Sequence, residues 1–140
     1  MLHDSGLLLA VISNQPDVAR GTQQRANVEA INDWLARQLP IERFDVCYHD
    51  DTDNCNCRKP RPGLILRAAQ CLNAEIGASF VVGDRWRDID AGKAAGCRSI
   101  WVDRGYAEKA PIGHDYRARS LLDAAQWILK HLSPFQGEST

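Results

Sequence analysis

Cys47-Tyr48-His49-Asp50-Asp51-Thr52-Asp53-Asn54-Cys55-Asn56-Cys57-Arg58-Lys59-Pro60-Arg61-Pro62-Gly63 places three thiols and an imidazole within eleven residues, and a cationic pair follows at once. Thiolate and imidazole in a tetrahedral array are what zinc prefers, and a set of three Cys and one His closes that shell. Cys-x-His and Cys-x-Cys each offer two ligands from one arm of a short loop. The five residues between them are rich in the turn formers Asp and Asn, so the loop can curl back on itself. Buried thiols of purely structural use have no reason to gather among Asp and Asn. Cys47, His49, Cys55 and Cys57 are therefore expected to hold a structural zinc ion.

Outward from this loop, apolar runs alternate with helical patterns. Leu7 to Ile12 is a continuous apolar run, expected as a strand buried on both faces of a parallel sheet, ending in Ser13-Asn14-Gln15. A loop through Pro16, Asp17 and Gly21 precedes a helix that Thr22 can cap, with Val28, Ile31, Leu35 and Leu39 inward and Pro40 as its stop. Phe44 to Val46 is a second strand, running into the Cys/His loop. Pro62 suits a helix start, with Ile65, Ala68, Ala69 and Leu72 facing inward. Phe80 to Val82 is a third strand, ending in Gly83-Asp84. A helix from about Asp88 carries the small residues Ala91, Gly92, Ala94 and Ala95. Ser99 to Val102 is a fourth strand, and Leu121, Leu122, Ala125, Ile128, Leu129 and Leu132 mark a last helix. Strands alternating with helices predict an α/β fold of the Rossmann-like, three-layer α/β/α kind around a parallel sheet.

The 140 residues are expected to form one domain, with 133–140 as a flexible tail. A net charge of −1 makes no electrostatic case for nucleic acid or for an anionic membrane surface, and no apolar run is long enough to span a bilayer. Five cysteines, three of them in the metal-spaced loop, point to a reducing, cytoplasmic setting rather than to disulfides. Cys71 and Cys97 are expected as small buried hydrophobes.

Three polar sites stand where strands or their following loops end: Ser13-Asn14-Gln15, Arg58-Lys59, and Asp84 with Asp88. In an open parallel sheet these ends share one crevice. A hydroxyl and amides hydrogen-bond phosphate oxygens, lysine supplies a point charge, and two carboxylates at i and i+4 suit Mg²⁺. Together they describe a phosphoryl-transfer site.

Ile12-Ser13-Asn14-Gln15, Ala19-Arg20-Gly21, the Cys/His loop with Cys57-Arg58-Lys59-Pro60, and Val82-Gly83-Asp84 with Asp88 and Ala91-Gly92 resemble, in order, the haloacid dehalogenase (HAD) superfamily. The likeness runs over about residues 6 to 106 and is to its zinc-loop branch, that of the heptose 1,7-bisphosphate and histidinol phosphatases. The resemblance implies a Mg²⁺-dependent phosphatase acting on a sugar phosphate such as a heptose bisphosphate. Ser13, Lys59 and Asp84 would be catalytic, Asp84 and Asp88 would hold magnesium, and Asn14, Gln15, Arg20 and Arg58 would bind substrate. The family opens with a strand ending Asp-x-Asp, whose first carboxylate is the nucleophile and whose second is the general acid/base. Asp4, Asp51-x-Asp53 and Asp88-x-Asp90 do not occupy that place. The fold is therefore expected to lack its first, central strand, and the chain to be N-terminally incomplete. A partner chain can supply the strand, activity of these residues alone is expected to be impaired, and the alternative is an inactive zinc-bearing remnant that binds a phosphosugar or a protein.

Overall fold

The computed structural model describes residues 1–132, so the tail expected at 133–140 lies outside the described residues. Five strands and five α-helices follow one another as β1 (Ala10–Asn14), α1 (Pro16–Ala19), α2 (Arg25–Gln38), β2 (Arg43–Cys47), α3 (Gly63–Leu72), β3 (Phe80–Gly83), α4 (Trp86–Ala95), β4 (Arg98–Val102), β5 (Tyr116–Ala118) and α5 (Leu121–Lys130). Every strand pairing is parallel, as the continuous apolar runs require. The strands form two sheets, β1-β2 and β3-β4-β5.

Around β3-β4-β5 the layers follow from the two-residue side-chain period of a strand. Phe80 and Val82 face a core of Ile100, Val102, Ala118, Ala124 and Ile128, so α5 covers that face. Val81 faces the other way, into a cluster with Ile65 of α3, Ala91 of α4 and Cys97. Gly92 lets α4 approach closely, since a Cβ there would sit 2.5 Å from Ser99 Oγ. Helix, sheet and helix make the three expected layers.

The edges of β1 and β3 that carry no partner strand face a groove of about 300 Å³, lined among others by Val11, Ile12, Ile65, Ala68, Val81 and Val82. Its walls come from both sheets and its floor from α3. Among the described residues no strand lies between β1 and β3.

Some elements differ from the expectation. β1 begins at Ala10 rather than Leu7, because its pairing with β2 starts at Ala10–Arg43; Leu8 is left half exposed. Pro16 to Ala19 is a one-turn helix, not loop. Thr22 does not cap α2: its hydroxyl donates to the Asp17 carbonyl, and the helix starts at Arg25 without a side-chain cap. Of the apolar stripe on α2 only Val28 is buried, while Ile31 and Leu39 are exposed, because a two-stranded sheet offers little surface to cover. α4 begins at Trp86, and Ala94 is exposed. In α5 the buried positions are Ala124, Ala125 and Ile128, with Leu121 and Leu122 exposed. Cys97 is buried as expected, but Cys71 lies on the outer side of α3, exposed.

Candidate active site

The loop after β2 is built from its acids. Asp50 Oδ1 accepts from the Asp51 N–H and Asp53 Oδ2 from the Asp50 N–H, both at 2.7 Å, closing a single 3₁₀ turn over Asp51–Asp53. Asn54 then takes the left-handed conformation, φ 49°, that turns the chain back. That turn brings the two arms together. Cys47 Sγ lies 3.5 Å from His49 Nδ1 and 3.6 Å from Cys55 Sγ, and His49 Nδ1 lies 3.3 Å from Cys57 Sγ. All four donor atoms fall within 4.8 Å of one another. Metal–sulfur bonds of about 2.3 Å and metal–nitrogen bonds of about 2.0 Å in a tetrahedron put sulfurs about 3.8 Å apart and sulfur from nitrogen about 3.6 Å. The cluster fits a four-coordinate metal ion in spacing and in donor chemistry. Burial, with the Cys57 thiol beside it, drives the Cys47 thiol up to about 12. At Cys55 burial also pulls upward, but hydrogen bonds from the backbone of Arg58 and from the neighbouring thiols outweigh it and set the thiol at about 6. The lowered Cys55 thiol suits the thiolate form in which cysteine binds metals.

The same acids reach outward. Asp50 receives Arg20 in a two-pronged pair, at 2.6 and 2.8 Å, which ties the segment after α1 to the metal loop. The Arg20 guanidinium, helped by the Asp51 N–H, holds the Asp50 carboxyl at about 2. Asp51 accepts from Arg58 Nε at 2.6 Å. Arg58 is buried, and its Nη1 has no hydrogen-bond partner among the described residues. A buried guanidinium nitrogen without an acceptor invites an anionic one.

At the carboxyl ends of β1 and β3 the structure joins Asn14, Lys59 and Asp88 into a chain. Asn14 Nδ2 donates to the Lys59 carbonyl at 3.2 Å, and its Oδ1 accepts from the Lys59 N–H at 3.1 Å. The amide expected at the substrate therefore fastens the backbone of Lys59 to the end of β1. Lys59 Nζ reaches across to Asp88 Oδ1 at 2.5 Å, with both side chains only 12% exposed. Asp88 Oδ2 accepts from the Arg85 N–H at 3.1 Å, capping the first turn of α4. Both oxygens of Asp88 are thus engaged by protein donors, whereas the sequence reading placed it at magnesium. Gly83 has to be glycine here, because a Cβ would lie 2.2 Å from Asp88 Cβ. Ser13 Oγ accepts from Gln15 Nε2 at 2.8 Å, which leaves its O–H free to donate.

Asp84 stands at the end of β3 and makes no ion pair among the described residues. Its Oδ2 accepts from the hydroxyl of Tyr106 at 2.7 Å, and its carbonyl accepts from Trp101 Nε1 at 3.3 Å. Tyr106 had no signal in the sequence. It sits in a polar loop without periodicity, and only the fold brings it to Asp84. A carboxylate just past the end of β3, a lysine held by the acid four residues further on, and a hydroxyl at the end of β1 are groups of the kind that bind a phosphoryl group and a divalent cation.

The comparisons with known proteins point to one family. A family model described as HAD-hydrolase-like matches residues 56–127. The D-glycero-β-D-manno-heptose-1,7-bisphosphate 7-phosphatase of Neisseria meningitidis serogroup A is 33% identical over 141 residues, covering 92% of this chain and 75% of that protein. The enzyme of the same name from Escherichia coli K12 is 29% identical over 150 residues, covering 96% and 78%. The crystal structure of the D,D-heptose 1,7-bisphosphate phosphatase of B. bronchiseptica, complexed with magnesium and phosphate, superposes with a TM-score of 0.81 at 28% identity, covering 92% of this chain and 78% of that one. On the family model, the relatives and the parallel α/β architecture, the chain belongs to the HAD family of hydrolases.

Proposed function

We propose that this chain carries the phosphate-binding and metal-binding part of a sugar-phosphate phosphatase, with a heptose bisphosphate as the substrate that its relatives favour. One observation carries the reading: Lys59 is locked to the end of β1 through Asn14 and to α4 through Asp88, which packs on Gly83, the residue before Asp84, while Ser13 precedes Asn14 in β1. In this reading Ser13 donates its O–H to a phosphoryl oxygen, and Lys59 neutralises the charge that grows on the transferring group. Asp88 aims Lys59 rather than holding the cation itself. Asp84 is the carboxylate that meets Mg²⁺, and Mg²⁺ when bound supplies Lewis-acid stabilisation of the phosphoryl oxygens. Arg58, whose buried Nη1 has no acceptor among the described residues, is assigned to an anionic group of the substrate, and Arg20 and Gln15 shape that rim.

Cys47, His49, Cys55 and Cys57 hold zinc in this proposal, in a closed and structural site. Reduced thiols of that kind belong in a reducing compartment, so the location is read as cytoplasmic. Among the described residues no helix is long and apolar enough to cross a membrane.

The aspartyl-phosphate mechanism that the resemblance implies needs a carboxylate nucleophile. The groove between β1 and β3 accommodates an extended apolar segment running parallel to both, whose end would reach the crevice of Ser13 and Asp84. We infer that a strand ending Asp-x-Asp, supplied from outside the 140 residues by the same polypeptide or by a partner chain, takes that place. Residues 1–140 then act as one domain that binds phosphosugar weakly alone and turns it over only with the strand.

The test is phosphate release from D-glycero-D-manno-heptose 1,7-bisphosphate with Mg²⁺ present, by the 140-residue chain alone and by a chain extended with such a strand. Turnover by the extended chain alone, lost in Lys59→Met, supports the proposal. Turnover by the short chain that depends on Lys59 would show that another carboxylate is the nucleophile. Phosphosugar binding without turnover in either form would replace the enzyme by a binding protein.

A further inference from the structure

Beyond β4 the chain turns back over the end of β3, and it meets residues 84, 85 and 86 in order. Tyr106 Oη donates to Asp84 Oδ2 at 2.7 Å. Arg85 Nη1 donates to Glu108 Oε2 at 3.2 Å, with its guanidinium 4.7 Å above the Tyr106 ring. Lys109 Nζ lies 3.8 Å from the centroid of the Trp86 ring. The turn that allows this sits at Gly105, which adopts φ +70°, a region that side chains disfavour. The Gly105 N–H donates to Asp103 Oδ1 at 2.9 Å, and Asp103 is held in turn by Arg117 of β5. The loop is therefore anchored to the sheet at its base and laid across the catalytic edge along its length.

The two acids of this edge are treated differently. Asp88 has one oxygen on an ammonium and the other on a backbone N–H, so its charge is already answered. Asp84 is met by a neutral phenol, which takes one oxygen without answering the charge. Nothing among the described residues donates to Asp84 Oδ1. A carboxylate on a strand end turns about two side-chain bonds, and each must be fixed before a cation finds an oxygen waiting. The carbonyl bond from Trp101 fixes the backbone, and the Tyr106 bond fixes the carboxylate plane.

We propose that Tyr106 is the positioning residue of this site: its hydroxyl holds Asp84 so that the second carboxylate oxygen is presented to the divalent cation. The proposal rests on the reading of Asp84 as the metal-binding carboxylate.

Mg²⁺ affinity of the zinc-loaded chain, measured by titration calorimetry without substrate, separates the two. The set is wild type, Tyr106→Phe, Asp84→Asn and Glu108→Gln. Tyr106→Phe keeps the ring against Arg85 and removes only the hydroxyl, so the melting temperature stays put while Mg²⁺ binds about tenfold more weakly. Glu108→Gln disturbs the same loop without touching Asp84 and binds Mg²⁺ as the wild type does. Unchanged affinity in Tyr106→Phe, with binding lost in Asp84→Asn, overturns the role of Tyr106 and leaves the site standing. Equal weakening in Glu108→Gln and Tyr106→Phe assigns the effect to the loop as a whole and likewise overturns it. Mg²⁺ binding absent in the wild type, or undiminished in Asp84→Asn, removes the metal reading and the proposal together.

Discussion

Replacing Asp88 by Asn tests the contact that joins the two sheets. The substitution keeps the shape of the side chain and an oxygen for the Arg85 N–H, so the cap of α4 survives. It removes the charge that faces Lys59 Nζ at 2.5 Å, where both side chains are 12% exposed. Removing one partner of a buried pair costs about 3–5 kcal/mol, since the other charge stays out of water uncompensated. The crevice opens to solvent at its mouth, so the lower end of that range applies, about 3 kcal/mol. Against a total stability of about 5–15 kcal/mol this is a large fraction, and at about 3 °C per kcal/mol it lowers the melting temperature by about 10 °C. Lys59→Met should cost less, because the Asp88 carboxylate left behind keeps the Arg85 N–H and a favourable place in the first turn of a helix. In the double variant neither charge remains, and most of the loss should return. Urea unfolding of the zinc-loaded protein, followed by circular dichroism, reads all three against wild type. A loss below about 1 kcal/mol in Asp88→Asn with unchanged m-value would place the pair among surface ion pairs of little weight. Losses that simply add in the double variant would show that the two residues are not coupled.

Two further outcomes follow from the metal loop. Protein purified without chelators should contain about one zinc per chain, and Cys55→Ser should melt at markedly lower temperature, because binding a closed metal site is part of folding; metal analysis that finds no zinc would refute this. The Arg20–Asp50 pair holds the Asp50 carboxyl at about 2 against an ordinary 3.8, so its contribution is present above about pH 4 and disappears as pH falls from there towards 2. The melting-temperature advantage of wild type over Arg20→Gln should shrink over that window, and an advantage that persists at pH 2 would show that Arg20 acts otherwise.

What the sequence makes legible here is what is local. The Cys/His cluster closes within eleven residues, so its spacing alone told that its ligands could meet. Strands β3 and β4 announce themselves as apolar runs because both faces are buried. β5 escaped notice, since Tyr116, Arg117 and Ala118 carry one exposed and one small residue and no run at all. The stripe on α2 misled for a different reason. Periodicity says which side of a helix is apolar, and the tertiary structure decides how much of it finds a surface; Ile31 and Leu39 found none. The contacts of Asn14 and Asp88 with Lys59 were out of reach because Lys59 is separated from them by 45 and 29 residues. Type and spacing marked them as polar groups at strand ends, but not whether they would face a ligand or one another.

That distinction matters for how the site works. β1 and β3 belong to different sheets, and Lys59 bridges them at their carboxyl ends. Its backbone is fixed by Asn14 on one side and its ammonium by Asp88 on the other. The groove beneath is apolar and bounded by two strand edges that have no partner strand among the described residues, and unpaired N–H and C=O groups cost free energy wherever water is kept out. In the proposed reading a strand entering there would pair both edges at once, and its end would carry the nucleophile to the carboxyl ends of β1 and β3. Completing the sheet and completing the site are then one event. The gain in stability and the gain in turnover should appear together, at the same strand concentration, and both should fall away when Val81 or Ile12 on the groove wall is replaced by a charged residue.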